Sequence, residues 1–260
     1  MRALIILALG LTVATVGTSA RRIVGGSVTS IQTYPFSAAL LRGASGPGVG
    51  TFSKTCGGSI INNRSVLTAA HCLDSFSTVL NRWRIRVGSS DANSGGVTFT
   101  LNRIARHGSY NSVALYDDIA VLRINGAFSF NNNVRAGSIA GPNYNLPDNA
   151  PVWLLGWASV SFTSGAQTDQ LSHVQVWVVN QSVCRSRFIA HPRSIMDSML
   201  CSGYLDVGGR DGCQGDFGSP VVHNNVIVGV ISWRYRCADS YYPGINTRVS
   251  SYTSWILSNQ

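Results

Sequence analysis

Short runs of alternating or β-branched residues recur along almost the whole chain: SAALL, GSIINN, VLTAA, WRIRV, VTFTL, IAVLRI, VWLLGW, HVQVWVV and PVVHNNVIVGVISW. Turn-forming stretches separate them, among them GASGPGVG, DANSGG, GPNYNLPDN and DVGGRDG. Runs this short, punctuated this often, leave little room for amphipathic helices and point to an all-β sandwich or a set of barrels. Helical periodicity is confined to residues 180–188 and to the C-terminal end, where Tyr252, Trp255 and Ile256 share a face. No short repeat or low-complexity tract is present, and the natural break between two halves falls at residues 131–151.

Residues 1–20, MRALIILALGLTVATVGTSA, carry one early cation, Arg2, an apolar run from Ala3 to Leu11, and small residues at Thr18 and Ala20. That is the pattern of a secretory leader. A membrane anchor needs about 20 apolar residues, and Thr12, Thr15, Thr18 and Ser19 interrupt the run first. No later stretch is apolar enough to span a bilayer. In an exported chain the even set Cys56, Cys72, Cys184, Cys201, Cys213 and Cys237 reads as a disulfide framework, with many pairings open on spacing alone.

Lys54 is the only lysine and all the acids are aspartates, in a chain of net charge +9. Arginine keeps its charge at pH values where lysine begins to lose it, so this composition suits an alkaline extracellular fluid. A basic balance also raises nucleic acid as a partner. The arginines, however, are scattered, and Arg82 and Arg84 flank Trp83 only as the outward positions of an alternating strand. Nothing resembles a nucleic-acid module.

Three separated segments carry candidate chemistry: LTAAHC with His71, YDDIAVLRI with Asp117 and Asp118, and the loop GGRDGCQGDFGSPVV. Taken singly, His71 reads as a structural histidine and Asp118 as a cap or turn residue. Their order and flanks say more. Together with RRIVGG, CGGSIINNRSVLTAAHC, DDIAVLR, GWA, DGCQGD, VISW, PGINTRV and a final YTSWI, they make the chain resemble the trypsin-like (chymotrypsin-fold, S1) serine proteases, and the digestive trypsins of insects in particular.

The resemblance implies two six-stranded antiparallel barrels with a cleft between them and a short C-terminal helix. It divides the chain into a leader at 1–20, an activation peptide at 21–22 and a peptidase domain at 23–260, with barrels at about 23–135 and 136–245 and the helix at about 250–258. It pairs Cys56 with Cys72, Cys184 with Cys201 and Cys213 with Cys237. In the family's mechanism a serine attacks the carbonyl, a histidine moves the proton, an aspartate orients the imidazole, and backbone amides hold the oxyanion. Carried over by motif, His71 is the base, Asp118 the orienting acid and Gly215 an oxyanion amide. The nucleophile position is Phe217, and a phenyl ring cannot attack a carbonyl.

Asp211 matches the carboxylate that draws Arg or Lys side chains into the family's specificity pocket; a turn aspartate in GGRDG is the plain alternative. Gly244 matches a pocket-wall glycine, but SWRYRCA puts Arg234 and Arg236 where glycines are usual, and Ser219 replaces a loop glycine. Arg234 has two courses: folding toward Asp211 as a tethered substrate mimic, or pointing to solvent and narrowing the entrance. Cleavage after Arg22 would free the amine of Ile23 to pair with Asp216, as the family's activation implies, unless Arg21 and Arg22 are a chance basic pair.

Asn63 and Asn180 open NRS and NQS sequons. His107, His173, His191 and His223 show no ligand spacing, so neither metal nor cofactor is expected. Three functions fit the sequence. The first is a secreted protease homologue without peptidase activity that binds protein partners, as an inhibitor decoy, a peptide-capture surface or a regulator of proteases. The second is an active endopeptidase cleaving after Arg or Lys, should Phe217 reflect one altered base in a serine codon. The third is a structural or defence protein on the same body. Expected partners are protease inhibitors, peptide substrates and an activating protease, around a monomer.

Overall fold

The computed structural model describes residues 23–43, 50–76, 79–157 and 169–260; the leader and Arg22 lie outside them. The strands are β1 (Ser27–Val28), β2 (Ser37–Gly43), β3 (Phe52–Ile60), β4 (Ser65–Thr68), β5 (Trp83–Val87), β6 (Val97–Arg106) and β7 (Ala120–Ile124). They continue with β8 (Ser138–Ile139), β9 (Pro151–Gly156), β10 (Ser172–Val178), β11 (Met199–Gly203), β12 (Pro220–His223), β13 (Val226–Trp233) and β14 (Gly244–Arg248). Two helices, α1 (Gln181–Arg187) and α2 (Thr253–Asn259), complete the described elements with short 3-10 turns.

β2-β3-β4-β7-β6-β5 close into one antiparallel barrel. A second ring runs β10-β11-β14-β13-β12-β9 and closes where β9 pairs with β10. Six strands in each ring are enough for side chains to fill the interior. Alternation in the sequence sets which ones do: in β5 the residues Trp83, Ile85 and Val87 are buried between the half-exposed Arg84 and Arg86, and β10 alternates likewise. β1 pairs not with the first barrel but with β10 of the second, Ser27 opposite His173.

Strand β2 is buried on both faces because its outward residues meet the other barrel. Ala39 and Leu41 pack with Ile31, Ala92, Trp157 and Leu171 in a cluster of their own. At this seam Trp157 donates from Nε1 to the Ser90 carbonyl at 2.9 Å, and the Lys54 ammonium donates to the Trp157 carbonyl at 3.1 Å. The cysteines form Cys56–Cys72, Cys184–Cys201 and Cys213–Cys237. Asn180 caps α1 by accepting from the amides of Ser182 and Val183. Along α2, Ile256 is buried and Thr253 donates to the Ala140 carbonyl at 2.8 Å.

Lys54 is 5 % exposed. Burial pushes its pKa down from 10.5 to about 8, against the pull of Asp216 and Asp169. Between those two values the unfolded chain binds a proton that the folded chain has released, so the native state gains stability as pH rises. The difference in unfolding free energy between the native chain and Lys54→Met should therefore shift toward the native chain by up to about 3 kcal/mol from pH ~8 to pH ~10. Denaturant titrations of both chains at the two pH values measure it, and parallel pH curves would show that folding does not depress the pKa of the amine.

Candidate functional site

The short β4 ends at the seam and delivers His71 into a 3-10 turn, Ala70–Phe76. Its backbone amide donates to Asp118 Oδ1 at 2.8 Å and its Nδ1 lies 2.7 Å from Oδ2 of the same carboxylate. Two contacts from one aspartate fix both the turn and the ring. Asp118, 1 % exposed, comes from the loop before β7. The preceding Asp117 takes the left-handed region at φ 51°, and Tyr252 holds it by donating to Asp117 Oδ1 at 2.6 Å. The second barrel supplies the other donors: Ser232 Oγ to Asp118 Oδ2 at 2.5 Å and Thr247 Oγ1 to the Asp118 carbonyl at 2.7 Å. Burial works against protonating His71, but the charge and hydrogen bond of Asp118 outweigh it and hold the imidazole pKa above its ordinary value.

Phe217 stands beside that histidine. The two ring centroids are 5.3 Å apart at 75°, an edge-to-face contact. The Phe217 carbonyl accepts from Gly57 N at 2.8 Å, and the half-buried ring packs on the core. Gly215 and Gly218 frame it with φ of 98° and 81°, conformations that favour glycine. Ser219 is buried with its Oγ unpartnered, and a Cβ on Gly57 would come within 1.8 Å of that oxygen. Ser219 thus occupies space that only a glycine at 57 leaves open.

Arg234 turns inward, toward Asp211. Its Nε donates to Asp211 Oδ1 at 2.7 Å, with the two side chains 2 % and 3 % exposed. Nη1 donates to the carbonyls of Trp233 and Ile245 at 2.9 and 2.8 Å, and Nη2 to Asn246 Oδ1 at 3.2 Å. Asn246 is oriented in turn by donating to the Leu200 carbonyl and Ser202 Oγ. The guanidinium lies against Gly244, where an added Cβ would meet its Cζ and Nε at 2.3 Å. Burial raises the Asp211 pKa; Arg234 and the amides of Ala238 and Gly212 oppose that rise and favour the carboxylate. Arg236 points outward, near the Tyr235 ring.

Ile23 is fully buried, Val24 bridges to Asp211, and Asp216 lies against Gly156, whose added Cβ would meet its Oδ1 at 1.9 Å. Among the described residues the one group with metal-ligating atoms close together is Cys56, His71 and Cys72. Both sulfurs belong to one disulfide, which removes them as thiolate ligands. Sequence reasoning missed Ser232, Thr247, Asn246 and Tyr252. Only the VISW and PGINTRV motifs flagged the first three, and nothing marked the reach of Tyr252.

Comparison with known proteins agrees with this geometry. The Trypsin family model matches residues 23–256. Trypsin, alkaline B of Manduca sexta is 51 % identical over 257 residues, covering 98 % of each chain. Trypsin CFT-1 of Choristoneura fumiferana is 52 % identical over 239 residues, covering 92 % of this chain and 91 % of that one. Achelase-1 of Lonomia achelous is 46 % identical over 242 residues, covering 91 % of this chain and all of its own.

With Asp211 already paired, a small amidinium such as benzamidinium should leave the melting temperature of the native chain unchanged. Arg234→Gly empties the space above Gly244, and the same ligand should raise that variant's melting temperature by roughly 5 °C at about a hundredfold excess over Kd. Thermal denaturation with and without ligand measures both. A shift of the native chain would show that Arg234 yields the carboxylate readily.

Proposed function

The chain belongs to the trypsin family of serine proteases, and from that premise we propose that it is a secreted member without peptidase activity that acts by binding. The observation that carries the reading is the Phe217 ring set edge-on against His71 at 5.3 Å. His71 and Asp118 keep the geometry of a proton-transfer pair, but the side chain next to them has no proton to give and no lone pair to attack with. Gly215 remains as an oxyanion donor in this reading, with the Phe217 ring where a carbonyl would arrive.

The Arg234–Asp211 pair supports the same conclusion independently. A substrate or inhibitor presenting Arg or Lys must displace a guanidinium tethered to the same chain, which acts at high effective concentration. Decoy binding of inhibitors that insert an arginine is therefore the least favoured of the binding roles. Capture of peptides along the cleft rim, or regulation of an active protease, is favoured. An active endopeptidase with serine at position 217 is supported by the ordered His71–Asp118 pair and by the relatives named as trypsins, yet it leaves Arg234 without explanation.

Three disulfides support an extracellular location, and the name of the alkaline trypsins, with the arginine-rich composition, supports an alkaline gut fluid. Activation follows the same logic: cleavage after Arg22 frees the Ile23 amine for Asp216, a reading supported by the burial of both residues.

Purified chain cut after Arg22 should turn over Arg-containing peptides no faster than a blank and take up no serine-directed fluorophosphonate, since loss of the nucleophile costs on the order of a millionfold. Phe217→Ser alone should stay weak toward Arg substrates. Phe217→Ser with Arg234→Gly should exceed it at least about tenfold in kcat/KM, equivalent to ~1.4 kcal/mol. Fluorophosphonate-blocked turnover by the native chain would overturn the reading, and equal activity of the two revertants would remove the pocket from it.

A further inference from the structure

The two sequons occupy unlike places. Asn180 is consumed by the fold: its Oδ1 accepts from Ser182 N at 2.9 Å, Ser182 Oγ at 2.6 Å and Val183 N at 3.2 Å, and its Nδ2 donates to Asp148 Oδ2 at 2.6 Å. Asn180 is half-buried, its Nδ2 is hydrogen-bonded to a carboxylate and its Oδ1 caps α1. Asn63 stands exposed in the turn between β3 and β4. Backbone bonds from Ile61 N to the Ser65 carbonyl and from Phe128 N to the Asn63 carbonyl hold that turn, at 2.9 and 2.7 Å. The Asn63 side chain makes no hydrogen bond to any described residue.

The hydroxyl of the same sequon supplies a second, independent observation. Ser65 is 0 % exposed at the start of β4, and its Oγ has no hydrogen-bond partner among the described residues. Burying a hydroxyl unpaired is unfavourable, so the folded state gives this oxygen nothing to do. A role before folding accounts for it, because the hydroxyl two residues after the asparagine is what makes NRS an acceptor.

We propose that the secreted, folded chain carries an N-glycan on Asn63, attached before the β3–β4 turn folds, and none on Asn180, where a glycan on Nδ2 would crowd the bond to Asp148 and the cap of α1 that the native fold uses. The donor is a lipid-pyrophosphate-linked oligosaccharide. Asn63 Nδ2 attacks C1 of its first sugar, a C–N bond forms as the C–O bond to pyrophosphate breaks, the lipid pyrophosphate leaves with the electron pair, and Nδ2 loses one proton. The turn lies at the opposite end of β4 from His71, so the glycan projects away from the cleft and leaves a partner's access to it open.

The test is secretion of the full chain from cultured insect cells, followed by enzymatic deglycosylation in heavy-oxygen water, which leaves a mass tag on each asparagine that carried a glycan. The expected result is a tag at Asn63 and none at Asn180. Ser65→Ala should abolish the tag while the chain is still secreted folded, since it removes a hydroxyl without a partner; Asn63→Gln is the second variant and should do the same. An untagged Asn63 in the secreted native chain, or a tag at Asn180, overturns the assignment.

Discussion

The structure depends on one buried carboxylate. Asp118 is enclosed at the seam of the two barrels and accepts from His71 of the first barrel and Ser232 of the second, while Thr247 binds its backbone carbonyl. A charge buried so completely is tolerable only with several donors aimed at it, and here those donors come from sequence positions far apart. Satisfying Asp118 therefore requires both barrels to be folded and in register. The same bonds that seat the seam also set the imidazole's orientation and raise its affinity for a proton.

The second buried carboxylate is satisfied in a different way. Asp211 has a guanidinium from its own chain within hydrogen-bonding distance, and that guanidinium spends its remaining donors on two carbonyls and Asn246. Arg234 is thus held by more than its contact with Asp211, and removing one partner of a buried pair typically costs about 3–5 kcal/mol. Gly244 belongs to this arrangement as well, because the space left by its missing Cβ is where the guanidinium lies.

Much of the fold was legible in the chain. The strands β5 and β10 announce themselves because one face is wet and one dry, and the period survives in the residues. β2 does not alternate, since its second face meets the other barrel, and its SAALL run alone gives no hint of what covers it. The disulfide pairs came from resemblance, because spacing does not select among pairings. Arg234 shows where reading stops: its side chain is long enough to reach Asp211 or solvent, and Asn246 with the carbonyls of Trp233 and Ile245, all invisible in the sequence, complete the inward set of acceptors. Tyr252 was equally hidden, because its reach to Asp117 depends on how the turn into α2 directs a phenol toward a left-handed residue far away in sequence.

The buried carboxylates and position 217 differ in what the fold asks of them. Asp118, Asp211 and Asp216 are each buried, and removing Asp118 or Asp211 would strand donors from distant parts of the chain. The side chain at position 217 is under no such demand: Gly57 binds its backbone carbonyl, and the flanking left-handed glycines shape the loop whatever the side chain is. A phenyl ring there loses no structural hydrogen bond and gains an edge contact with His71 and apolar packing on the core. The side chain at position 217 can thus change at little structural cost, whereas Asp118 and Asp211 are held in place by the barrels themselves.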